Sequence, residues 1–203
     1  EYAAHPDDLE AAQKFVGAMR AGGRHERAAQ IANEALGRHP DDLLLLHELG
    51  AALIGAGRPN EALRPLALVA RAQPQDWKSR SALGIALDQV GRGEEARRAY
   101  HEALAIAPDN SGVLTNLGVS HLLGGSPAEA EAILRQASAL PGAPVEARQN
   151  LALALGLQGK FDEAEQIERV DLPPALVAEN MSYIRGLLSD PRRWGDMERQ
   201  ETR

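Results

Sequence analysis

The 203-residue chain is 44% hydrophobic but only 3% aromatic, and its apolar content is mostly Ala and Leu, a mixture that favours closely packed helices over a β-rich core. Its formal charge of -7, from 29 acidic and 22 basic residues, opposes a phosphate backbone, and the longest basic runs, Arg97-Arg98 and Arg192-Arg193, are two residues each, so nucleic-acid binding is not expected. The lack of cysteine excludes a disulfide framework and thiol chemistry in either a cytoplasmic or a periplasmic setting, and Leu43 to Leu46, the longest leucine block, is too short to span a bilayer.

A fixed period organises the chain. Pro40, Pro74 and Pro108 recur every 34 residues, as do Ala28, Ala62, Ala96, Ala130 and Ala164. Gly50, Gly84 and Gly118, with Ala152 next in line, and Gly23, Gly57, Gly91, Gly125 and Gly159 form two further series. The first unit, about 9–42, is the weakest, with Val16 where later units have Gly. The second, 43–76, opens LLLLHELGAALIGAGRPNEA and carries Pro65 inside its second helix, where a bend is expected. The third, 77–110, reads WKSRSALGIALDQVGRGEEA and is followed by Tyr100; the fourth, 111–144, reads SGVLTNLGVSHLLGGSPAEA and ends in a PGAP link. The fifth, 145–170, reads VEARQNLALALGLQGKFDEA.

Each series has a physical cause. The small residues at 50, 84 and 118 on first helices, and at 62, 96 and 130 on second helices, let the two backbones approach closely. The glycines at 23, 57, 91, 125 and 159 stand where the first helix stops, a position favouring the left-handed conformation. The prolines end the second helix. One such unit cannot bury its own apolar faces, so neighbours must stack and the last needs a cover. Pro174 to Leu188 fits that cover, with Leu176, Val177, Met181, Ile184, Leu187 and Leu188 at helical spacing. From Ser189 to Arg203 the sequence is a polar tail in which Trp194 can dock on the body.

The period and its small-residue positions resemble the tetratricopeptide repeat. The resemblance implies an all-α, right-handed superhelical solenoid of about five helix-turn-helix repeats plus a C-terminal capping helix, in a single domain over 1–188. The sequence departs from that pattern where a bulky aromatic is expected early in each first helix: Leu46, Arg80, Leu114 and Arg148 stand there, and among second helices only the third keeps its aromatic, Tyr100.

No catalytic constellation accompanies the repeats. The histidines at 5, 25, 39, 47, 101 and 121 include no pair three or four apart, as metal ligands on one helical face require. The glycine turns match no P-loop or dinucleotide fingerprint, and no serine stands in a nucleophile elbow. Glu94-Glu95 are adjacent and do not face one another on a helix. A non-catalytic protein with neither metal nor cofactor is expected.

In a solenoid of this kind the first helices line the concave surface that receives partners. Repeat phase places Ile85, Asp88 and Gln89 there in the third unit, Thr115, Asn116, Val119 and Leu122 in the fourth, and Gln149, Asn150, Leu153 and Leu157 in the fifth. Asn116 and Asn150 are one interval apart, and family members use asparagines here to bond a bound main chain; the alternative is that they stabilise neighbouring helices. The apolar positions are open to the same alternative.

From about Leu114 the sequence is similar to something narrower. NLGVSHLLGGSPAEAEAILRQASALPGAPVEARQNLALALGL, then the DLPP break and a helix beginning near AEN, look like the end of TadD-type proteins of the tight adherence (Flp pilus) machinery. That resemblance implies a pilotin-like lipoprotein at the periplasmic side of the outer membrane, assisting assembly of the pilus secretin, with the secretin subunit or another pilus component as protein partner. The family's lipid sits on an N-terminal Cys that this sequence, which begins at Glu1, lacks, so the anchor is expected to be either cut away or absent. The alternatives are a soluble cytoplasmic or periplasmic adaptor or chaperone-like protein binding a different partner, and an accessory array that feeds substrate to a catalytic domain of a longer chain.

Overall fold

The computed structural model describes residues 8–189, so His5, Trp194 and all of the polar tail beyond Ser189 lie outside the described residues. Five first helices, each of 13 residues, begin 34 residues apart: α1 (Leu9–Ala21), α3 (Leu43–Gly55), α5 (Trp77–Gln89), α7 (Ser111–Leu123) and α9 (Val145–Leu157). Each is followed by a second helix: α2 (His25–Leu36), α4 (Pro59–Ala72), α6 (Gly93–Ile106), α8 (Pro127–Ala139) and the shorter α10 (Phe161–Glu168). A final helix, α11 (Pro174–Ser189), closes the order, and no strand occurs among the described residues.

Local chemistry fixes these boundaries. Asp8, Asp42, Asp76 and Asn110 are a 34-residue series of N-caps in extended conformation whose side chains accept from the backbone N–H of Ala11, Leu45, Ser79 and Val113. Each satisfies a donor that the helix start leaves open, a contribution of about 1 kcal/mol. At the other end Gly57 has φ +71°, and the following Arg58 N–H returns to the Leu53 carbonyl at 2.8 Å. This left-handed stop recurs at Gly23, Gly91, Gly125 and Gly159. Pro65 lies buried inside α4 and removes one ladder bond there, yet the helix continues through it to Ala72.

The chain divides into two compact units, Glu1–Pro108 and Asp109–Arg203. In the first, α1 packs on α3 and α3 on α5, while α2 and α4 each lie against the next first helix. Its core includes Val16, Ile31, Leu45, Leu49, Leu53 and Leu66. In the second, α7 packs on α9, α8 on α9, and α11 on both α9 and α10, around Leu134, Leu151, Leu155, Met181 and Ile184. Val177, Met181, Ile184 and Leu187 are the buried side of α11. Leu176 and Leu188 were expected on that side but are 45% and 39% exposed, because one helical stripe cannot hold all six apolar residues.

Within each hairpin, size is complementary across a 16-residue separation. A Cβ on Gly50 would stand 2.4 Å from Leu66 Cγ, one on Gly84 2.5 Å from Tyr100 Cε1, and one on Gly118 2.5 Å from Leu134 Cγ. The first repeat inverts the sizes, pairing the positions of Val16 and Ala32, both fully buried. Val16 therefore keeps the rule, with the volume moved to the other helix.

Candidate first-helix binding face

In the first unit the polar side chains of the first helices are largely engaged with one another. Gln13 Nε2 donates to both oxygens of Asp42, at 3.0 and 3.1 Å. Arg20 Nε donates to Glu48 Oε2 at 2.7 Å, and Glu48 is only 9% exposed, so this pair compensates a carboxylate that is nearly buried. His47 Nδ1 and Ser79 Oγ are 2.7 Å apart. Burial holds the His47 imidazole below its usual range, so it is neutral at pH 7, with the nearby Glu48 carboxylate opposing the shift. A serine on a histidine resembles a nucleophile with its base, but Ser79 is fully buried and no substrate atom can reach it. The pair joins α3 to α5. Tyr100 Oη donates to Asp88 Oδ2 at 3.0 Å, which ties the inner side of α5 to α6; burial first, then the Asp88 charge, raises the phenol far above its usual range. Of the three inward positions expected in this unit, Asp88 is engaged by Tyr100, Ile85 is half-buried and Gln89 is exposed.

The second unit differs. Asn116 and Val119 on α7, and Asn150 and Leu153 on α9, are half-buried at equivalent positions one repeat interval apart, and Gln149 is exposed beside them. The Asn116 and Asn150 carboxamides form no hydrogen bond among the described residues, and neither has a buried, unsatisfied atom. Their donors and acceptors therefore face solvent. Two free amides, each followed three residues later by an apolar side chain, offer main-chain hydrogen bonding beside apolar contact.

Three expected contact residues are placed in the packing instead. Leu122 and Leu157 belong to the core cluster of the second unit, Leu157 at 9% exposure. Thr115 is buried and its Oγ1 donates to the Ser111 carbonyl at 2.7 Å, so the hydroxyl is spent within its own helix. Helices α7 and α9 carry apolar residues on every side, which is why repeat phase alone did not separate these positions from the accessible ones. Sequence reasoning also passed over the N-cap series and Glu168, a glutamate at the repeat position held by Leu66, Tyr100 and Leu134. Aligning the units in register reveals both. Among the described residues no cluster of three or more His, Cys, Asp or Glu is arranged to hold a metal, and no helix is long and apolar enough to cross a membrane.

Three family models, each described as a tetratricopeptide repeat, match residues 19–84, 81–144 and 145–172. The chain is an array of tetratricopeptide repeats. TTC0263, a thermophilic tetratricopeptide-repeat protein of Thermus thermophilus, is similar in structure with a TM-score of 0.71 at 22% identity, over 86% of this chain and 97% of that one. MamA from Desulfovibrio magneticus RS-1, from residue 41 to its end, gives a TM-score of 0.66 at 16% identity, covering 81% and 97%. MamA MSR-1 gives 0.57 at 27% identity, covering 64% and 75%. No curated protein sequence matches the chain. A tetratricopeptide array is a scaffold for protein–protein interaction, and the free amides and apolar positions of α7 and α9 are where this one has unused bonding capacity.

Proposed function

We propose that the chain is a non-catalytic scaffold that holds a segment of a protein partner against α7 and α9, and that the partner is the secretin subunit of a tight adherence (Flp) pilus. The observation that supports the binding site is the pair Asn116 and Asn150, without side-chain hydrogen bonds among the described residues, beside half-buried Val119 and Leu153. The corresponding side of the first unit has already bonded most of its polar groups internally. The secretin reading rests on the sequence between Leu114 and Leu188, whose first-helix motif and DLPP break are similar to TadD-type assembly proteins. It carries with it a pilotin-like role at the periplasmic side of the outer membrane.

The test uses the purified chain and the secretin subunit of the same organism, with affinity measured by isothermal titration. Val119→Asp and Leu153→Asp place a charge against an apolar contact. Each is expected to weaken binding by about 2 kcal/mol or more, roughly thirtyfold in Kd, with the helical circular dichroism unchanged. Unchanged affinity in both variants moves the site off these helices. Failure of the wild-type chain to bind the secretin subunit removes the pilus assignment.

A further inference from the structure

Glu168 ends α10 at a position that the second, third and fourth repeats fill with a large, fully buried side chain, Leu66, Tyr100 and Leu134, and the first with the small Ala32. Glu168 is itself only 6% exposed. Its Oε1 accepts from Asn180 Nδ2 of α11 at 3.1 Å, while Oε2 is buried without a hydrogen-bond partner. Helix α11 rests on both α9 and α10, so a half-satisfied carboxyl lies where the terminal helix is attached.

A buried carboxylate with an orphaned oxygen is costly, and a neutral carboxyl far less so. No cation among the described residues offsets the charge. On α10 itself Glu165 faces Glu168 and disfavours its ionisation. On α9, Arg148 is held by both oxygens of Asp171 at 2.7 Å. On α11, Asn180 is uncharged, and Arg185 stacks on Phe161 and points to Glu165 at 3.7 Å. Burial, then Glu165, push the Glu168 carboxyl above the usual range, and the Asn180 bond only partly opposes them.

We propose that Glu168 is a proton-operated latch for α11: giving up its proton loosens the seat of the terminal helix, and taking one up closes it. The sign follows from proton linkage. The seated state holds its proton to higher pH than the released state, so seating strengthens as pH falls through the seated carboxyl's range and levels off below the range of a free glutamate. Release uncovers α9 around Gly156, where a Cβ would stand 3.0 Å from Ile184, and so gives the second unit a conditional apolar surface. The latch does not depend on the identity of the partner.

The test is hydrogen exchange on the full chain at pH 5.5 and 7.5. Protection factors, corrected for intrinsic rates, are read over Pro174–Ser189 with α7 as internal reference. In the wild type, α11 protection is expected to rise towards pH 5.5, by up to about tenfold per pH unit inside the titrating interval. Glu168→Gln should abolish that pH dependence. Glu168→Leu, which restores the residue of the second and fourth repeats, should give the higher protection already at pH 7.5. A wild type with equal α11 protection at both pH values overturns the latch. So does a pH dependence that survives both substitutions, or loss of α11 protection in both while α7 remains protected.

Discussion

The size complementarity across each hairpin can be tested by exchanging it. The Cβ of a residue at 118 would lie 2.5 Å from Leu134 Cγ and 2.7 Å from its Cδ2, against the 3.5–4.0 Å of ordinary carbon contact. Gly118→Val therefore forces Leu134 out of its place or α7 and α8 apart by about 1 Å, at a cost of about 3 kcal/mol. Leu134→Ala alone empties a fully buried site, for about 3 kcal/mol as well. The double variant recreates the Val16 and Ala32 arrangement of the first repeat, with the valine occupying space the leucine gave up. It should lose about 3 kcal/mol rather than the 6 of independent sites, a coupling of about 3 kcal/mol. Urea unfolding followed at 222 nm gives the cycle, with a constant m value as the check that the denatured state has not changed. If the two losses add within about 0.5 kcal/mol, the sites are not complementary and the 16-residue pairing has no energetic content.

Other outcomes follow from single groups. Gly125 has φ +72° and no atom within 4 Å of a Cβ, so Gly125→Ala should cost about 1 kcal/mol from backbone strain alone, lowering Tm by roughly 2–4 °C. Gly125→Asn should cost less, since asparagine tolerates that conformation. Glu131 on α8 accepts from Lys160 Nζ at 2.7 Å and from Gln158 and Arg135, which hold its carboxyl down at about 2. With a folded-state pKa below the unfolded value of about 4.3, its contribution is complete above that value and is lost as pH falls towards 2. Thermal melts between pH 2 and 6 should therefore be flatter in Glu131→Gln than in the wild type. Identical slopes would mean that this cluster adds nothing to folding.

The architecture was legible because its determinants are local and repeat. A glycine that must take positive φ, or must clear a leucine 16 residues on, leaves its mark at one position per unit, and five units make the period visible. Which of the proposed contact residues are accessible was legible only in part. Asn116, Val119, Gln149, Asn150 and Leu153 are at least partly accessible, whereas Thr115, Leu122 and Leu157 are buried. The difference comes from neighbours: a first helix here is touched by its own second helix and by adjacent first helices, and α7 and α9 carry leucines on several sides, so periodicity does not tell which stripe remains open. Glu168 escaped notice for the opposite reason. Its helical context is ordinary, and only comparison with Leu66, Tyr100 and Leu134 marks a charge standing in an apolar position.

If the proposed site is right, hydrogen-bond satisfaction separates positions that stabilise from positions that bind, even where both lie on first helices. Arg20 and Glu48 have each other, and Glu48 has little solvent to fall back on. Arg20→Ala should thus lower stability by leaving a nearly buried carboxylate unpaired, while affinity for the partner stays at the wild-type value. Asn150 has no side-chain hydrogen bond to lose among the described residues. Asn150→Ala should leave Tm within about 1 °C of wild type and weaken partner binding by about 1 kcal/mol, some fivefold in Kd, the net worth of a neutral hydrogen bond. The two variants form a crossed comparison: thermal melts and titrations on both must move in opposite columns. If Arg20→Ala weakens binding as much as Asn150→Ala does, the ligand also engages the first unit, and bonding capacity already used within the protein is no guide to where this array meets its partner.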